Sequence, residues 1–312
     1  DAGLAKAGEP FTNLLTQGMV VAQTYHRDEA DGRRRWIAPA EVDVERDERG
    51  AIVAARLAAD GLPVTLGGVE KMSKSKNNGV DPEALIEHYG ADTVRLYVMF
   101  TSHPEQMLEW NDAAVEGSAR FLRRLWRQVH DHVSAGPAGT AIPDVLDAAA
   151  RGMRRHTHAT IAKVSDDIGR RYTFNTAVAA VMELLNELAR YDDATPAGRA
   201  VRQEALEAAV LMLSPIVPHV TDALWRALGH AQPIVDAPWP QADDRALTRE
   251  RVTLVVQVNG RRRGEIAVPA GAGDDEVRAC ALGDAAIGRH TEGMQVRKVI
   301  VVPGRLVNIV VA

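Results

Sequence analysis

The stretch that decides the reading is Lys71-Met72-Ser73-Lys74-Ser75-Lys76-Asn77-Asn78. Three lysines are interleaved with two serines, and Gly67-Gly68 and Gly79 flank the run. Small hydroxyl residues and glycines form turns, so the stretch reads as a mobile loop that no core holds rigid. Lysine carries a compact, strongly hydrated charge on a long stem. Several such side chains on one loop can close over a polyphosphate and follow its charge as a bond breaks, which is electrostatic stabilisation of a transition state. The bland alternative is a solvated Lys/Ser surface loop, because charge runs are mostly surface.

Downstream, Asp81-Pro82 starts a helix with proline at its first position and Glu83 in the acid-favouring first turn. Gly90 after Tyr89 ends it. Asp92 reads as the cap of the next helix, which carries Val94, Leu96, Val98 and Met99. Tyr89, Asp92 and Arg95 are read as structural: cap, packing and ion pair. From 109 to 240 the period is helical. Asn111 or Asp112 caps a helix with Ala114, Phe121, Leu122, Leu125 and Val129 on one face and Arg120, Arg123, Arg124 and Arg127 on the other. A second helix is read from near Asp144, with Val145, Ala149, Met153, Ile161, Val164 and Ile168. The cleanest helical period is Ala177, Val178, Val181, Leu184, Leu185 and Leu188. Thr195-Pro196 opens a fourth helix that breaks at Ser214-Pro215, and Pro218-His219 opens a fifth with Leu224, Trp225 and Leu228. Such a bundle serves structure alone or, through its arginine face, a phosphate-rich partner.

Beyond a linker at 241–250 the period changes to two. Leu254, Val256 and Val258 lead to Asn259-Gly260, a hairpin turn signal, with Arg261, Arg262 and Arg263 in or beside it as candidate phosphate contacts. Asp274, Asp275 and Glu276 start a helix, and Val299–Val302 and Leu306–Val311 form a second hairpin. Upstream of the lysines, Gly18 to Val21 start a buried strand. Val42, Val44 and Arg46, the turn Asp47-Glu48-Arg49-Gly50, and Ile52-Val53 make a small hairpin that rests on its neighbours. Arg33, Arg34 and Arg35 precede it as a solvated run or a further phosphate contact.

The chain has 312 residues, about two ordinary domains. Its net charge of -5 means that any nucleic acid must meet local basic surface. Aromatics make up 4%, which argues against a stacking platform and for backbone or shape recognition. The lone Cys280 excludes an internal disulfide and a multi-cysteine zinc site, and suits a reducing cytoplasm. His130/His132 and His156/His158 lack further ligands, so no metal site is assigned. No apolar run approaches the ~18 residues of a membrane span. The chain opens at Asp1 without a methionine or leader, and is read as a piece of a longer protein.

Lys71 to Ser75 is letter for letter the KMSKS signature of class I aminoacyl-tRNA synthetases. Further stretches are similar to that class, and to its bacterial leucyl branch in particular: Glu9-Pro10-Phe11 with Gly18 to Val21, the Tyr89–Phe100 run, Ser214–Trp225, and Leu254–Pro269. Valyl, isoleucyl and methionyl relatives usually follow the signature with Gly-Asn; here Lys76-Asn77-Asn78-Gly79 follows, as in leucyl enzymes. The resemblance implies a multidomain, mainly α chain: the end of a Rossmann-type catalytic domain (1–24), a β-rich insertion (25–68), the KMSKS loop and connecting helices (69–108), an α-helical anticodon-binding bundle (109–240), the linker, and a small α+β tRNA-binding domain (251–312).

It further implies an ATP-binding loop of Lys71, Met72, Ser73, Lys74 and Ser75, with Lys71 and Lys74 catalytic. Leucine, ATP with Mg²⁺, and tRNA(Leu) are the implied reactants. Arg120, Arg124, Arg127 and Arg261–Arg263 become candidate tRNA contacts, and the enzyme is expected to be a cytoplasmic monomer. The partner ATP signature, His-x-Gly-His, is absent, as are a leucine pocket and an editing domain, so the chain alone is expected to be inactive. Another aliphatic class I synthetase, or a non-catalytic docking module, stays open as an alternative.

Overall fold

The computed structural model describes residues 11, 13–139, 141–248 and 251–312. Glu9-Pro10 lies outside them. Two compact units emerge, Asp1–Ala246 and Leu247–Ala312.

The first unit begins with five strands: β1 (Val20–Asp28), β2 (Arg34–Ile37), β3 (Val42–Arg46), β4 (Ile52–Leu57) and β5 (Thr65–Lys71). β1 is central, antiparallel to β2 and to β5. It starts at Val20, two residues later than the apolar run suggests. Gly18 is taken up by a close approach, where a Cβ would lie 2.1 Å from the Gln106 carbonyl oxygen. β1 also runs through residues 24 and 25, so the read end of the catalytic part and the insertion share one sheet. The β3–β4 hairpin forms as the alternation predicts. Its apolar residues Ala55 and Leu57 join Tyr25, Ile37 and Val64 in a small core, which is why so short a hairpin persists.

Next come α1 (Pro82–Tyr89) and α2 (Ala91–Thr101), then β6 (Leu108–Glu109), which pairs parallel with the start of β1. The Asp81 carboxylate accepts from the Glu83 amide and caps α1 as read. Asp92 does not cap α2. Its buried carboxylate accepts from the Val220 amide at 2.7 Å and pairs with His219 Nδ1 at 2.9 Å, 127 residues away. The helix starts after Gly90, whose φ is +84, so Asp92 is its second residue and not its cap. Among the described residues Arg95 likewise makes no ion pair; it donates to the carbonyls of Pro215 and Ile216. His219, read as a packing residue, has an 80% exposed side chain. Tyr97, fully buried, accepts from the Asn111 amide at 2.9 Å and so ties α2 to the start of the bundle.

The bundle is α3 (Asp112–Ser134), α4 (Ala148–Asp166), α5 (Phe174–Arg190), α6 (Pro196–Leu213) and α7 (Pro218–Ala227). Asn111, Asp147 and Thr195 cap the first, second and fourth of these through their side chains. α4 therefore starts after Asp147 rather than near Asp144, and Val145 is left 86% exposed. Its end widens into a π-turn, Asp167–Arg171, around the buried Asp167 carboxylate, which Lys163, Arg171 and Thr176 surround. Most of the predicted core is buried, including Phe121, Leu125, Val164, Val181, Leu184, Leu188 and Leu224, each worth roughly 1.5–3 kcal/mol of transfer free energy; Val145 and Ala149 are exposed instead, and Ala114 and Ile168 half-buried. α8 (Asp244–Leu247) closes the unit.

The second unit holds β7 (Arg251–Val258), β8 (Arg261–Pro269), α9 (Asp274–Gly283), α10 (Ala285–Gly288), β9 (Val296–Val302) and β10 (Leu306–Val311). The sheet order is β8-β7-β10-β9, with β7 and β10 parallel and the other neighbours antiparallel. One face is covered by Val277, Ala281 and Ile287 from α9 and α10. The expectation of a mainly α chain gives way to a mixed helix-and-sheet protein. Its β-branched alternating runs are short, yet each finds a sheet. Among the described residues no helix is long and apolar enough to cross a bilayer.

A half-buried polar cluster fastens the end of the first unit. Arg154 grips Glu204 through Nε (2.9 Å) and Nη2 (3.0 Å), and reaches Asp243 at 3.2 Å. His158 accepts from the Asp243 amide on Nδ1 and therefore donates through Nε2 to Glu204. Burial pushes the Glu204 carboxyl up, but the bonds from His158 and Arg154 outweigh it and hold the group below its ordinary 4.5. A depressed carboxyl stabilises fully above the ordinary value, and that stability is lost as pH falls through the folded value. We expect Glu204→Gln to cost about 1–3 kcal/mol near neutrality. In urea titrations across pH, the gap to the parent chain should close below about 4.5; a gap constant with pH would contradict this.

Candidate phosphate- and RNA-binding surfaces

β5 delivers the lysine run. Its last residue, Lys71, pairs with Val21, and the Met72 amide still donates to the Val20 carbonyl. Gly67 and Gly68 belong to this strand and are not loop flanks. The β1–β5 register shifts beside buried Thr24, whose hydroxyl bonds the Gly68 carbonyl at 2.8 Å; a Cβ on Gly67 would lie 2.2 Å from that hydroxyl. Lys74–Lys76 is one 3-10 turn, ended by Asn77 in the left-handed region. Ser73 and Ser75 hydroxyls meet at 3.3 Å and shape the turn.

Asn78 is fully buried. Its Oδ1 accepts from the Ser73 amide at 2.9 Å, and its Nδ2 faces the carbonyls of Ala22, Glu70 and Lys71 at 3.2–3.4 Å. The loop is thus fastened to β1 and β5, which corrects the expectation that nothing holds it rigid. Lys71 and Lys74 stay exposed, and among the described residues neither has an ion-pair partner. Lys76 differs: it pairs with Glu70 and lies over the Trp36 ring. Asn78, Glu70 and Trp36 were missed from the sequence. A polar residue just after the signature was the only signal for Asn78, and none existed for the other two.

On α3 the arginines are exposed as the helical period requires. Arg120 pairs with Glu116 at 3.1 Å. Arg124 stacks on Phe121 and reaches Asn186 at 3.5 Å. Arg127 has no partner among the described residues. With Arg123, His130 and the 46% exposed Trp126 it lines a groove of about 390 Å³. An aromatic ring between guanidiniums is a feature that composition argued against. In the other unit the Asn259-Gly260 turn forms with both residues at positive φ. Arg261–Arg263 open β8, exposed, and Arg262 is engaged by Glu265 at 2.6 Å. Arg33 and Arg34 lie beside Asp31 and Asp28. The two arginine sets lie in different units. No cluster of three His, Cys, Asp or Glu that could hold a metal occurs among the described residues.

Two family models match: tRNA synthetases class I (I, L, M and V) over residues 57–111, and the anticodon-binding domain of tRNA ligase over residues 150–278. Both matches are to parts of class I aminoacyl-tRNA synthetases, one on the lysine turn and its connecting helices and one on most of the bundle. The chain is 58% identical over its whole length to a leucine–tRNA ligase of Stenotrophomonas maltophilia and 60% identical to that of Alkalilimnicola ehrlichii, spanning 36% of each. A solved structure of agnB2 LeuRS from Agrobacterium radiobacter K84, in a ternary complex with tRNA and LeuAMS, superposes with a TM-score of 0.67 at 27% identity, over 78% of this chain and 32% of that one. The relatives it matches are leucine–tRNA ligases, and the chain spans about a third of their length.

The Asn78 clasp generates an expectation. Asn78→Ala leaves the Ser73 amide and strand carbonyls without their partner, and should lower stability by about 1–3 kcal/mol. Denaturant unfolding of the chain measures it; an unchanged midpoint would show that the clasp holds nothing.

Proposed function

We propose that this chain supplies the ATP-phosphate loop and the tRNA-binding surfaces of a cytoplasmic, monomeric enzyme that ligates leucine to tRNA(Leu). In the first step the leucine carboxylate attacks the α-phosphorus of ATP, forming leucyl-adenylate and releasing pyrophosphate. In the second the terminal ribose 2′-hydroxyl of the tRNA takes the leucyl group and AMP leaves. The observation that carries the reading is two exposed ammonium groups, Lys71 and Lys74, without an ion-pair partner among the described residues, on a turn clamped to a sheet. Charge develops on the leaving pyrophosphate, and pre-placed cations stabilise it without reorganising at the moment of reaction. Met72 and the serines hold the turn's shape. Mg²⁺ would share the phosphate charge; the described residues offer no carboxylate cluster that could hold it by itself.

In the full-length enzyme Lys74→Ala should slow leucine-dependent pyrophosphate exchange by about 10²–10³, the effect of losing one such donor; near-normal exchange would end the assignment. The chain on its own, lacking the other half of the nucleotide site, should show none.

For the RNA, Arg120, Arg124 and Arg127 on α3 and Arg261–Arg263 on β8 are proposed as backbone contacts. Phosphate contacts release counterions, so affinity falls steeply with salt. Replacing the three α3 arginines with alanine should weaken tRNA(Leu) binding and flatten the log K against log[salt] slope by up to about 3. A titration with an unchanged slope would remove that face from the RNA.

A further inference from the structure

Lys76 lies just outside the five-residue signature, yet it makes the contacts that Lys71 and Lys74 lack. It ends the 3-10 turn, and its ammonium pairs with Glu70 on β5. The same ammonium lies 5.5 Å from the centroid of the Trp36 ring on β2. That ring is itself held. His26 packs against it at 5.3 Å, and the Arg34 guanidinium lies 5.7 Å from its centroid. Trp36 also pairs with His26 in the β1–β2 ladder. The Glu70–Lys76 pair therefore closes a short ring around residues 71–75, the whole signature. Trp36 adds a cation–π contact from the insertion. Asn78 closes the ring a second time, from Ser73.

We propose that Lys76 is a positioning residue: through Glu70 and Trp36 it holds the loop pre-ordered, so that Lys71 and Lys74 meet the ATP phosphates without first losing loop entropy. The inference rests on the function proposed above. Closing a loop costs conformational entropy. Where that cost is met in the free protein, it no longer opposes binding or the reacting geometry. Glu70 also neutralises one lysine of three, which leaves the uncompensated charge on the two that face outward. The competing role for Lys76 is a third direct phosphate ligand, and the two roles predict opposite responses to losing Glu70.

The test uses full-length enzyme carrying Glu70→Gln, Lys76→Met, both together, Trp36→Leu or Trp36→Phe. Pyrophosphate exchange is measured with ATP and leucine varied separately, and hydrogen exchange is followed over residues 71–78. A latch predicts that Glu70→Gln and Lys76→Met each lower kcat/KM for ATP by roughly three- to tenfold, with KM for leucine unchanged. The double variant should match the singles, because one interaction is lost once. Amide exchange in the loop should quicken, and Trp36→Phe, which keeps a ring, should lose less than Trp36→Leu. Unchanged or improved use of ATP by Glu70→Gln, or additive losses in the double variant, would overturn the proposal. Glu70 and Lys76 are partly exposed, so their variants remain informative even if Trp36→Leu fails to fold. Lys74→Ala run beside them separates the two readings: near-normal exchange in that variant sinks the proposed function itself, whereas a normal Glu70→Gln beside an inactive Lys74→Ala sinks only the latch.

Discussion

A single carboxamide, buried to zero exposure, decides how the lysine turn sits. Asn78 satisfies an amide of the turn and faces carbonyls from two strands at once. An unsatisfied polar group in that position would be costly, so the turn and the sheet edge are specified together. Lysine side chains are long and individually floppy. Only their backbone roots can be placed, and the placing is done by the Asn78 carboxamide together with the Lys76–Glu70 pair, without the side chains of Lys71 and Lys74.

From the turn, order passes to the bundle through a few long-range polar contacts. Asp92 serves the Val220 amide at a helix start 128 residues downstream, and Arg95 satisfies carbonyls where α6 has ended. Helix ends leave backbone groups without partners. Here side chains from the connecting helix α2 fill that need for the α6–α7 junction. The connection is therefore a joint, in which the loop-bearing helices and the bundle complete one another's hydrogen bonding. Tyr97 does the same toward the start of α3.

Much of the architecture was legible early because it is local. Asp81-Pro82, Thr195-Pro196 and Asn259-Gly260 act within a few residues, and each does what its chemistry prescribes. The apolar face of α5 follows from periodicity alone. Asp92 looks like a cap for its own helix and Gly67-Gly68 like loop flanks because their partners, the start of α7 and Thr24, are distant in sequence. Val145 looks like a core residue, but a nearer cap, Asp147, starts the helix after it.

The amino-acid order by itself determined the helices and hairpins, the signature that singles out the lysines, and the arginine stripe along α3. These depend on neighbours no more than four residues apart, or on a contiguous string of letters. Tertiary structure alone decided that the lysine turn is clasped, that Lys76 is occupied while Lys71 and Lys74 are not, and which arginines are already paired. Those outcomes hang on which charges and carbonyls come within about 3 Å across strands and helices, the range over which a hydrogen bond holds, and spacing along a chain carries no record of it.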